Sequence, residues 1–254
     1  MTDNLAYLIK FLLDEMPEYR ESARAIDDQR MLLRSLMNVR PPIPINPDFL
    51  RVQDEFLSEE RELKGVVDTE NLPEIERGIS LWQGDITRLK ADAIVNAANS
   101  KLLGCFIPCH RCIDNAIHSA AGLQLRDECA GIMREQGHDE PTGTAKLTGG
   151  YNLPAKHVIH TVGPIVFGEL TQENCDELES CYRSCLELAD SEGLKSIAFC
   201  CISTGEFHFP NDIAAKIAVR TVRDFVKGAQ SVSKVVFNVF KDLDLELYRR
   251  ELGC

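Results

Sequence analysis

The stretch Ser196-Ile197-Ala198-Phe199-Cys200-Cys201-Ile202 decides the fold class, because it is almost continuously apolar. A strand with one solvated face alternates apolar and polar residues, whereas a strand covered by helices on both faces is apolar throughout. The stretch therefore predicts a central strand of a buried, largely parallel sheet. The chain of 254 residues, of which 44% are hydrophobic, is long enough to bury such a sheet.

Short β-branched runs alternate with helical patterns on both sides of this stretch, from Gly78 onward. Four further strands are predicted, at Ile79–Gln83, Ala93–Ala97, Val158–Val162 and Lys234–Phe240. Helices are predicted at about 113–136, 171–192, 212–227 and 242–252. This alternation predicts a three-layer α/β/α fold, with helices on both faces of a mixed, largely parallel sheet. Ligands of such sheets bind beyond the carboxyl ends of the strands, so the loops there are the expected site.

The first 77 residues differ from the rest, since they contain helical patterns only. The pair Asn46-Pro47 is typical of an N-cap followed by proline at the first helical position, and Gly65 can end that helix. We therefore divide the chain into a helical N-terminal extension, residues 1–77, and an α/β domain, residues 78–254. The extension is interpreted as a structural cap, with substrate gating or partner docking as the alternatives.

The charge balance argues against a nucleic-acid binder. The formal net charge is −12, and acidic residues outnumber basic ones both before Gly78, by 17 to 10, and from there on, by 23 to 18. A nucleic-acid binder needs clustered Lys and Arg to displace phosphate counterions, and the sequence has no such stripe. Any phosphate group must then bind locally, through backbone N–H groups and helix ends.

The expected compartment follows from the termini and from hydropathy. Met1–Lys10 has no basic-then-apolar signal peptide, and no apolar run approaches the length of a membrane span. We therefore predict a soluble cytoplasmic protein with no membrane partner. In that compartment the ten cysteines stay mostly reduced, so a cluster of them points to metal binding or catalysis rather than to disulfides.

One such cluster lies in Cys105-Phe106-Ile107-Pro108-Cys109-His110-Arg111-Cys112, where three cysteines and a histidine are all suited to Zn²⁺. If the segment around His110 is extended, His110 and Cys112 project to one side and Cys109 to the other. That geometry favours Cys105, His110 and Cys112 as a three-ligand set, which leaves a fourth position open, as in catalytic zinc sites. Two alternatives remain: a closed site that uses all four residues, and a redox pair of Cys109 and Cys112.

Polar residues near this cluster and after the central strand are further candidates. Asp114 opens a helix, where a carboxylate is either a cap or a general base beside the metal. Asn99 follows a strand end, where its amide could bond a sugar hydroxyl, while Asn96 is expected to satisfy backbone groups. The loop Ser203-Thr204-Gly205-Glu206-Phe207 leads into a helix, so its backbone either approaches an anionic ligand or simply packs a turn.

Six motifs together resemble those of the macrodomain family, specifically of its ADP-ribosyl hydrolase branch. They occur in the family's order between about Leu81 and Leu252: Gln83-Gly84-Asp85-Ile86-Thr87, Asp92-Ala93-Ile94-Val95-Asn96-Ala97-Ala98-Asn99-Ser100-Lys101-Leu102-Leu103-Gly104, Ile113-Asp114-Asn115-Ala116-Ile117-His118-Ser119-Ala120-Ala121-Gly122, Pro141-Thr142-Gly143, His160-Thr161-Val162-Gly163-Pro164 and Cys201-Ile202-Ser203-Thr204-Gly205. Each motif alone is weak evidence, but the ordered set is specific.

The resemblance implies roles for individual residues in binding ADP-ribose. Asp85, with the backbone of Ile86, looks like the group that reads the adenine amino edge, and Phe240 looks like the residue on which adenine packs. The backbone of Ser203, Thr204, Gly205, Glu206 and Phe207 looks like the diphosphate cradle, with Phe207 also covering the distal ribose. Asn99 and Asp114 resemble the residues that hold this ribose and organise the attacking water.

The chain departs from the commoner hydrolases of this branch at Cys105–Cys112, which replaces a run of glycines. Here it resembles the microbial zinc-containing macrodomains, which also carry a helical extension. The resemblance implies a zinc-dependent hydrolase that releases ADP-ribose from acidic side chains of proteins, often encoded beside a sirtuin-type ADP-ribosyltransferase. We expect the zinc to position the ribose rather than to acidify a water. The alternatives are a non-catalytic ADP-ribose reader and a deacetylase of O-acetyl-ADP-ribose.

Overall fold

The computed structural model describes residues 2–254, and its central feature is a seven-stranded mixed sheet. The strands are β1 (Val67–Asp68), β2 (Glu74–Glu76), β3 (Ile79–Gln83), β4 (Leu89–Lys90), β5 (Ala93–Ala98), β6 (Ala145–Gly149), β7 (His157–Val162), β8 (Ser196–Phe199) and β9 (Lys234–Val239). The helices are α1 (Thr2–Glu15), α2 (Arg20–Ala23), α3 (Gln29–Val39), α4 (Pro47–Lys64), α5 (Ile113–Ala121), α6 (Leu123–Gln136), α7 (Gln172–Ser191), α8 (Asn211–Val226) and α9 (Asp242–Leu252).

The strand order in the large sheet is β2-β3-β9-β8-β5-β7-β6. The five strands from β3 to β7 pair in parallel, and the edge strands β2 and β6 pair antiparallel. Connections between parallel strands are right-handed, so α5 and α6 lie on one face while α7 and α8, which lead back across the sheet, lie on the other. The predicted three-layer α/β/α architecture is confirmed.

The central strand is buried throughout, as its composition predicted, but it is shorter than expected. All four residues of β8 are buried, and the strand ends at Phe199 instead of Ile202. Cys200 and Ile202 remain buried after the ladder has ended, so their apolar character reflects packing of the following loop. The edge strand β6 was missed, because Lys146, Thr148 and Gly149 interrupt any apolar pattern.

The helix predicted at 113–136 is two helices, α5 and α6, which meet at Gly122. The φ of Gly122 is 97°, a value that side chains other than glycine rarely adopt. A Cβ on this residue would come within 2.7 Å of both Gln53 Nε2 and Gln124 Oε1. The chain therefore turns here between the α/β domain and α4 of the extension, which the periodicity of the sequence could not reveal.

The helices of the extension bury a cluster of side chains separate from the core around the sheet, with members that include Leu8, Leu12, Leu33, Leu36, Phe49, Phe56 and Leu123. Asn46 caps α4 as predicted, since its side chain accepts the N–H of Asp48, and α4 ends at Gly65.

The expectation of helices alone before residue 78 is wrong, because β1 and β2 lie there and β2 pairs with β3. The division at residue 77 stays a prediction. In residues 2–254 no helix combines the length and hydropathy needed to cross a membrane.

Two glycine substitutions test the break between α5 and α6. We expect Gly122→Ala to lower the free energy of unfolding by about 1–3 kcal/mol, because the positive φ becomes strained and the new methyl meets Gln53. Gly131→Ala, in the middle of α6 with only Arg134 Nη2 at 4.0 Å, should raise it by about 0.5–1 kcal/mol. Urea denaturation of both variants measures the difference, and equal effects would contradict this account of Gly122.

Candidate active site

The candidate residues lie at one edge of the sheet because the parallel strands all end there. Asn99 directly follows β5, the loop with Ser203 follows β8, and Phe240 directly follows β9. The ends of β3 and β9 are held together by Gln83, whose Nε2 donates to the carbonyl of Phe240 at 3.3 Å and to Asp242 Oδ1 at 2.8 Å. The site predicted beyond the carboxyl ends of the strands is therefore assembled from separate loops.

The cysteine loop, residues 105–112, reaches this edge in a turn. The N–H of His110 donates to the carbonyl of Ile107 at 3.2 Å, which closes a turn with Pro108 and Cys109 at its centre. The φ of Cys109 is 50°. Proline followed by a residue of positive φ is typical of a type II turn. The condition from which the three-ligand set was derived, an extended segment around His110, is therefore not met at Cys109.

The turn nevertheless brings three side chains of the loop together and leaves the fourth outside. The ligand atoms of Cys105, His110 and Cys112 all lie within 4.8 Å of one another. Cys109 Sγ points away, 3.2 Å from Ser35 Oγ and 3.4 Å from the carbonyl of Met31. This arrangement of two sulfurs and one imidazole could hold a divalent metal with a fourth position open to a ligand.

The chemistry of these three side chains fits a soft cation. His110 Nδ1 is buried and has no hydrogen-bond partner within the described chain, which is a costly arrangement unless a ligand occupies that lone pair. Burial raises the pKa of Cys112 to about 12, although the Asn115 N–H, which donates to Cys112 Sγ at the start of α5, opposes the shift. A bound divalent cation would deprotonate such a thiol.

Asp114 follows the loop in the first turn of α5 and is 5% exposed. Burial raises the pKa of its carboxyl to about 6, and the hydrogen bond from Asn96 and the charge of Arg126 limit that rise. Asn96 Nδ2 donates to Asp114 Oδ1 at 2.8 Å, and Asn99 Nδ2 donates to Oδ2 at 3.3 Å. Each carboxylate oxygen is thus held in place by an amide from β5 or its end.

Sequence reasoning missed the buried polar layer beneath Asp114. Asn96 was expected to satisfy backbone groups, but its amide bonds Asp114 and also lies 3.2 Å from His160 Nδ1. Burial lowers the pKa of His160 to about 3 and holds that of His118 well below its usual range, so both rings are neutral. His118 Nε2 is 3.5 Å from Asp114 Oδ1 but makes no hydrogen bond with it.

The loop after β8, residues 200–210, holds the predicted diphosphate cradle and contacts the cysteine loop. Its bends are set by two non-glycine residues of positive φ, Ser203 at 63° and His208 at 58°. The loop leads into α8, whose first turn offers backbone N–H groups and a favourable dipole to an anion. Glu206 Oε1 lies 3.8 Å from His110 Nε2, so the cradle and the metal-ligand cluster are neighbours.

The two residues predicted at the adenine end lie where β3 and β9 stop. Asp85 caps the short helix Ile86–Arg88, since its Oδ1 accepts the N–H and the hydroxyl of Thr87 at 3.0 and 2.7 Å. The side chain of Phe240 is exposed, with 74% of the residue accessible. A planar group could stack on such a ring.

A cavity of about 380 Å³ between the extension and the α/β domain was not predicted from the sequence. Its walls include Arg34 of α3, Arg61 of α4, Ala116 of α5, and both Asp85 and Cys109. The extension therefore borders both Asp85, the residue predicted to read adenine, and the cysteine loop.

Comparisons with known proteins find similarity to one family. The Macro domain family model matches residues 95–218. A protein-ADP-ribose hydrolase of Treponema medium is 54% identical over 250 residues, covering 96% of this chain and 96% of its own length. A probable bifunctional ADP-ribose hydrolase/ADP-ribosyltransferase of Fusarium oxysporum f. sp. cubense is 43% identical over 242 residues, covering 87% of this chain and 40% of its own. The crystal structure of a Trypanosoma brucei macrodomain in complex with ADP-ribose superposes with a TM-score of 0.67 and 33% identity, over 85% of this chain and 94% of that one.

Proposed function

This chain belongs to the macrodomain family, within its ADP-ribosyl hydrolase branch, and on that premise we propose that it is a zinc-dependent hydrolase that releases mono-ADP-ribose from acidic side chains of proteins. The observation that carries the proposal is the position of the three-ligand cluster. It directly precedes Asp114 in the chain, and His110 lies 3.8 Å from Glu206 in the predicted diphosphate cradle. A metal there would meet the end of a bound ADP-ribose that carries the scissile bond.

The binding of ADP-ribose follows the edge of the sheet from β3 to β5. Asp85 and the Ile86 backbone would read the adenine, which stacks on Phe240, and the backbone from Ser203 to Phe207 would receive the diphosphate. The distal ribose then reaches Asn99 and Asp114, with Phe207 beside it. This order agrees with the sequence of strand ends, β3, β9, β8 and β5, along the sheet.

Zinc would be held by Cys105, His110 and Cys112, and would supply a Lewis acid that positions the distal ribose. Two thiolate ligands donate charge to the metal, which favours positioning over acidification of a water. The chain's own carboxylate then has the task of directing water. Asn96 and Asn99 fix the two oxygens of Asp114 in a site of low dielectric, where an oriented acceptor costs no reorganisation during the reaction.

The reaction is hydrolysis of the ester between the anomeric carbon of the distal ribose and the modified carboxylate. The oxygen of a water forms the new bond to the anomeric carbon while Asp114 accepts a proton from that water. The bond from the anomeric carbon to the ester oxygen breaks, and the leaving carboxylate keeps the electron pair. The products are ADP-ribose and the unmodified acidic side chain.

The modified substrate must come from an ADP-ribosyltransferase, and we propose an enzyme of the sirtuin type in the same cytoplasm. The Fusarium relative supports a transferase as the supplier, because its name combines the hydrolase and the transferase activity in one chain.

Metal content tests the ligand set with a matched pair of conservative variants. We expect about one zinc ion per chain in the wild type. Cys109→Ser should hold the same amount, because the sulfur that it removes faces Ser35 and lies outside the ligand cluster. Cys112→Ser should lose most of the zinc, because a hydroxyl is a poor ligand for this ion. Elemental analysis of the purified proteins measures the content. Zinc lost from both variants would favour the closed four-ligand site, and a zinc-free wild type would remove the metal from the proposal.

Single-turnover release of ADP-ribose from a Glu-modified protein tests the hydrolase. We expect Asp114→Asn to slow the release on the order of 10²–10⁴-fold, because the amide cannot accept the proton of water. Asp224→Asn, which removes an exposed carboxylate paired with Lys227 on α8, should leave the rate unchanged. Tight binding of the modified protein by the wild type with no release would instead identify a reader, and faster turnover of O-acetyl-ADP-ribose would identify the deacetylase.

Binding of free ADP-ribose tests the diphosphate cradle separately from catalysis. A Cβ on Gly163 would lie 2.0 Å from Ser203 Oγ and 2.8 Å from Ile202 Cγ2. We expect Gly163→Ala to displace the loop at Ser203 and to raise the dissociation constant about tenfold or more. Gly228→Ala, with no atom within 4 Å of its new methyl, is the control. Calorimetry on both variants decides, and unchanged affinity in Gly163→Ala would place the diphosphate elsewhere.

A further inference from the structure

We propose that helix α3 of the extension holds the cysteine loop in its metal-binding shape, with Arg34 as the positioning residue. This inference rests on the proposed function, because it assumes that the loop binds zinc. The extension would then have a role in metal binding. That role was not predicted from the sequence, and α3 lies outside the family match, which begins at residue 95.

The loop needs support from outside because it has no regular structure of its own. Between the end of β5 at Ala98 and the start of α5 at Ile113 there is neither helix nor strand. Pro108 and the positive φ of Cys109 define the turn, but they do not fix where the turn lies relative to Asp114. The ligand atoms of three residues in such a segment stay close enough to bind one metal ion only if neighbouring elements hold the backbone between them.

Arg34 supplies the first contact through Asn115, a residue that is fully buried at the start of α5. The guanidinium donates two hydrogen bonds to Asn115 Oδ1, at 2.7 Å from Nη2 and 3.2 Å from Nε. Nη2 also lies 3.4 Å from the carbonyl oxygen of His110, directly on the backbone of a proposed ligand. One side chain of α3 therefore reaches both the helix that follows the loop and the loop itself.

Asn115 passes this restraint on to the other two ligands. Its Nδ2 donates to the carbonyl of Ile107 at 3.0 Å and to that of Cys105 at 3.4 Å. Its backbone N–H donates to Cys112 Sγ at 3.4 Å. Because Arg34 occupies the acceptor oxygen, the amide of Asn115 is oriented with its NH₂ group toward the loop. Asn115 thus contacts Cys105 and Cys112, Arg34 contacts His110, and Arg34 holds Asn115 Oδ1 together with Ser119 Oγ, which donates to the same oxygen at 3.4 Å.

A second contact from the same helix holds the middle of the turn. Asn38, 1% exposed, accepts the N–H of Cys109 at 2.9 Å, and Ser35 Oγ lies 3.2 Å from Cys109 Sγ. The backbone N–H of Cys109, which any residue at this position other than proline would retain, is thus the main attachment of the middle of the turn to α3. Arg34, Ser35 and Asn38 lie on one face of α3, at the spacing of neighbours on a helix.

Removal of the guanidinium tests the proposal by metal affinity. We expect Arg34→Met, which keeps the length of the side chain, to weaken zinc binding about 10–100-fold, as the loss of residues that orient metal ligands typically does. Arg34→Lys should fall between Arg34→Met and the wild type, because a single ammonium can replace only part of the fork. Arg51→Met on α4, which loses an exposed pair with Glu55, is the matched control. Competition with a chromophoric chelator measures the affinities, and thermal unfolding shows whether the variants are folded.

A second readout uses the metal-free protein, so that the two proposals can fail separately. With zinc removed, Cys109 should react with a maleimide faster in Arg34→Met and in Asn38→Ala than in the wild type, because its attachment to α3 is loosened. Peptide mapping identifies the modified cysteine. Unchanged zinc affinity in Arg34→Met would overturn the positioning role of Arg34, and so would a loss of affinity that only follows global unfolding. If the wild type binds no zinc but the difference in Cys109 reactivity persists, α3 holds the loop and the zinc-dependent function is what fails.

Discussion

Five parallel strands place their carboxyl ends at the same edge of the sheet, and every part of the candidate site depends on that constraint. Asp85, Asn99, Ser203 and Phe240 lie on separate loops at the same edge because β3, β5, β8 and β9 pair in parallel. The pairing is stabilised by the burial of β8 and β9 on both faces. The relative positions of the candidate site loops therefore depend on the packing of these two strands.

The fold was largely predictable because its strongest signals are local. The apolar run at β8 and the limits of β3 and α9 can be read from composition and spacing, and the cap at Asn46 follows from one residue pair. What could not be read was set by distant contacts. Gly122 breaks a continuous helical pattern because Gln53 of the extension packs there, and β6 exists because β7 offers a free edge.

The candidate site was predictable as a list of residues and not as an arrangement. The Cys105, His110 and Cys112 set was inferred from an extended segment, but the structure reaches it through a turn around Pro108 and Cys109. The role of Asn96 was missed, since nothing in the sequence says that its side chain turns toward Asp114 and not toward the backbone. Contacts between elements, such as Arg34 with Asn115, leave no trace in periodicity and need the folded chain.

The composition of the loop Cys105–Cys112 has a physical consequence for the extension. A loop of glycines approaches its ligand because the backbone is free to bend, whereas this loop contains no glycine and carries a proline. The shape of the loop must therefore be held by contacts with other elements. Arg34 and Asn38 of α3 contact the loop from the extension. Arg126 of α6 contacts both partners: its guanidinium lies 4.4 Å from the ring of Phe106 in the loop, and it donates to the carbonyls of Met37 and Arg40 in the extension. The extension and the loop are therefore joined by direct side-chain contacts from α3, and Arg126 of α6 contacts both of them.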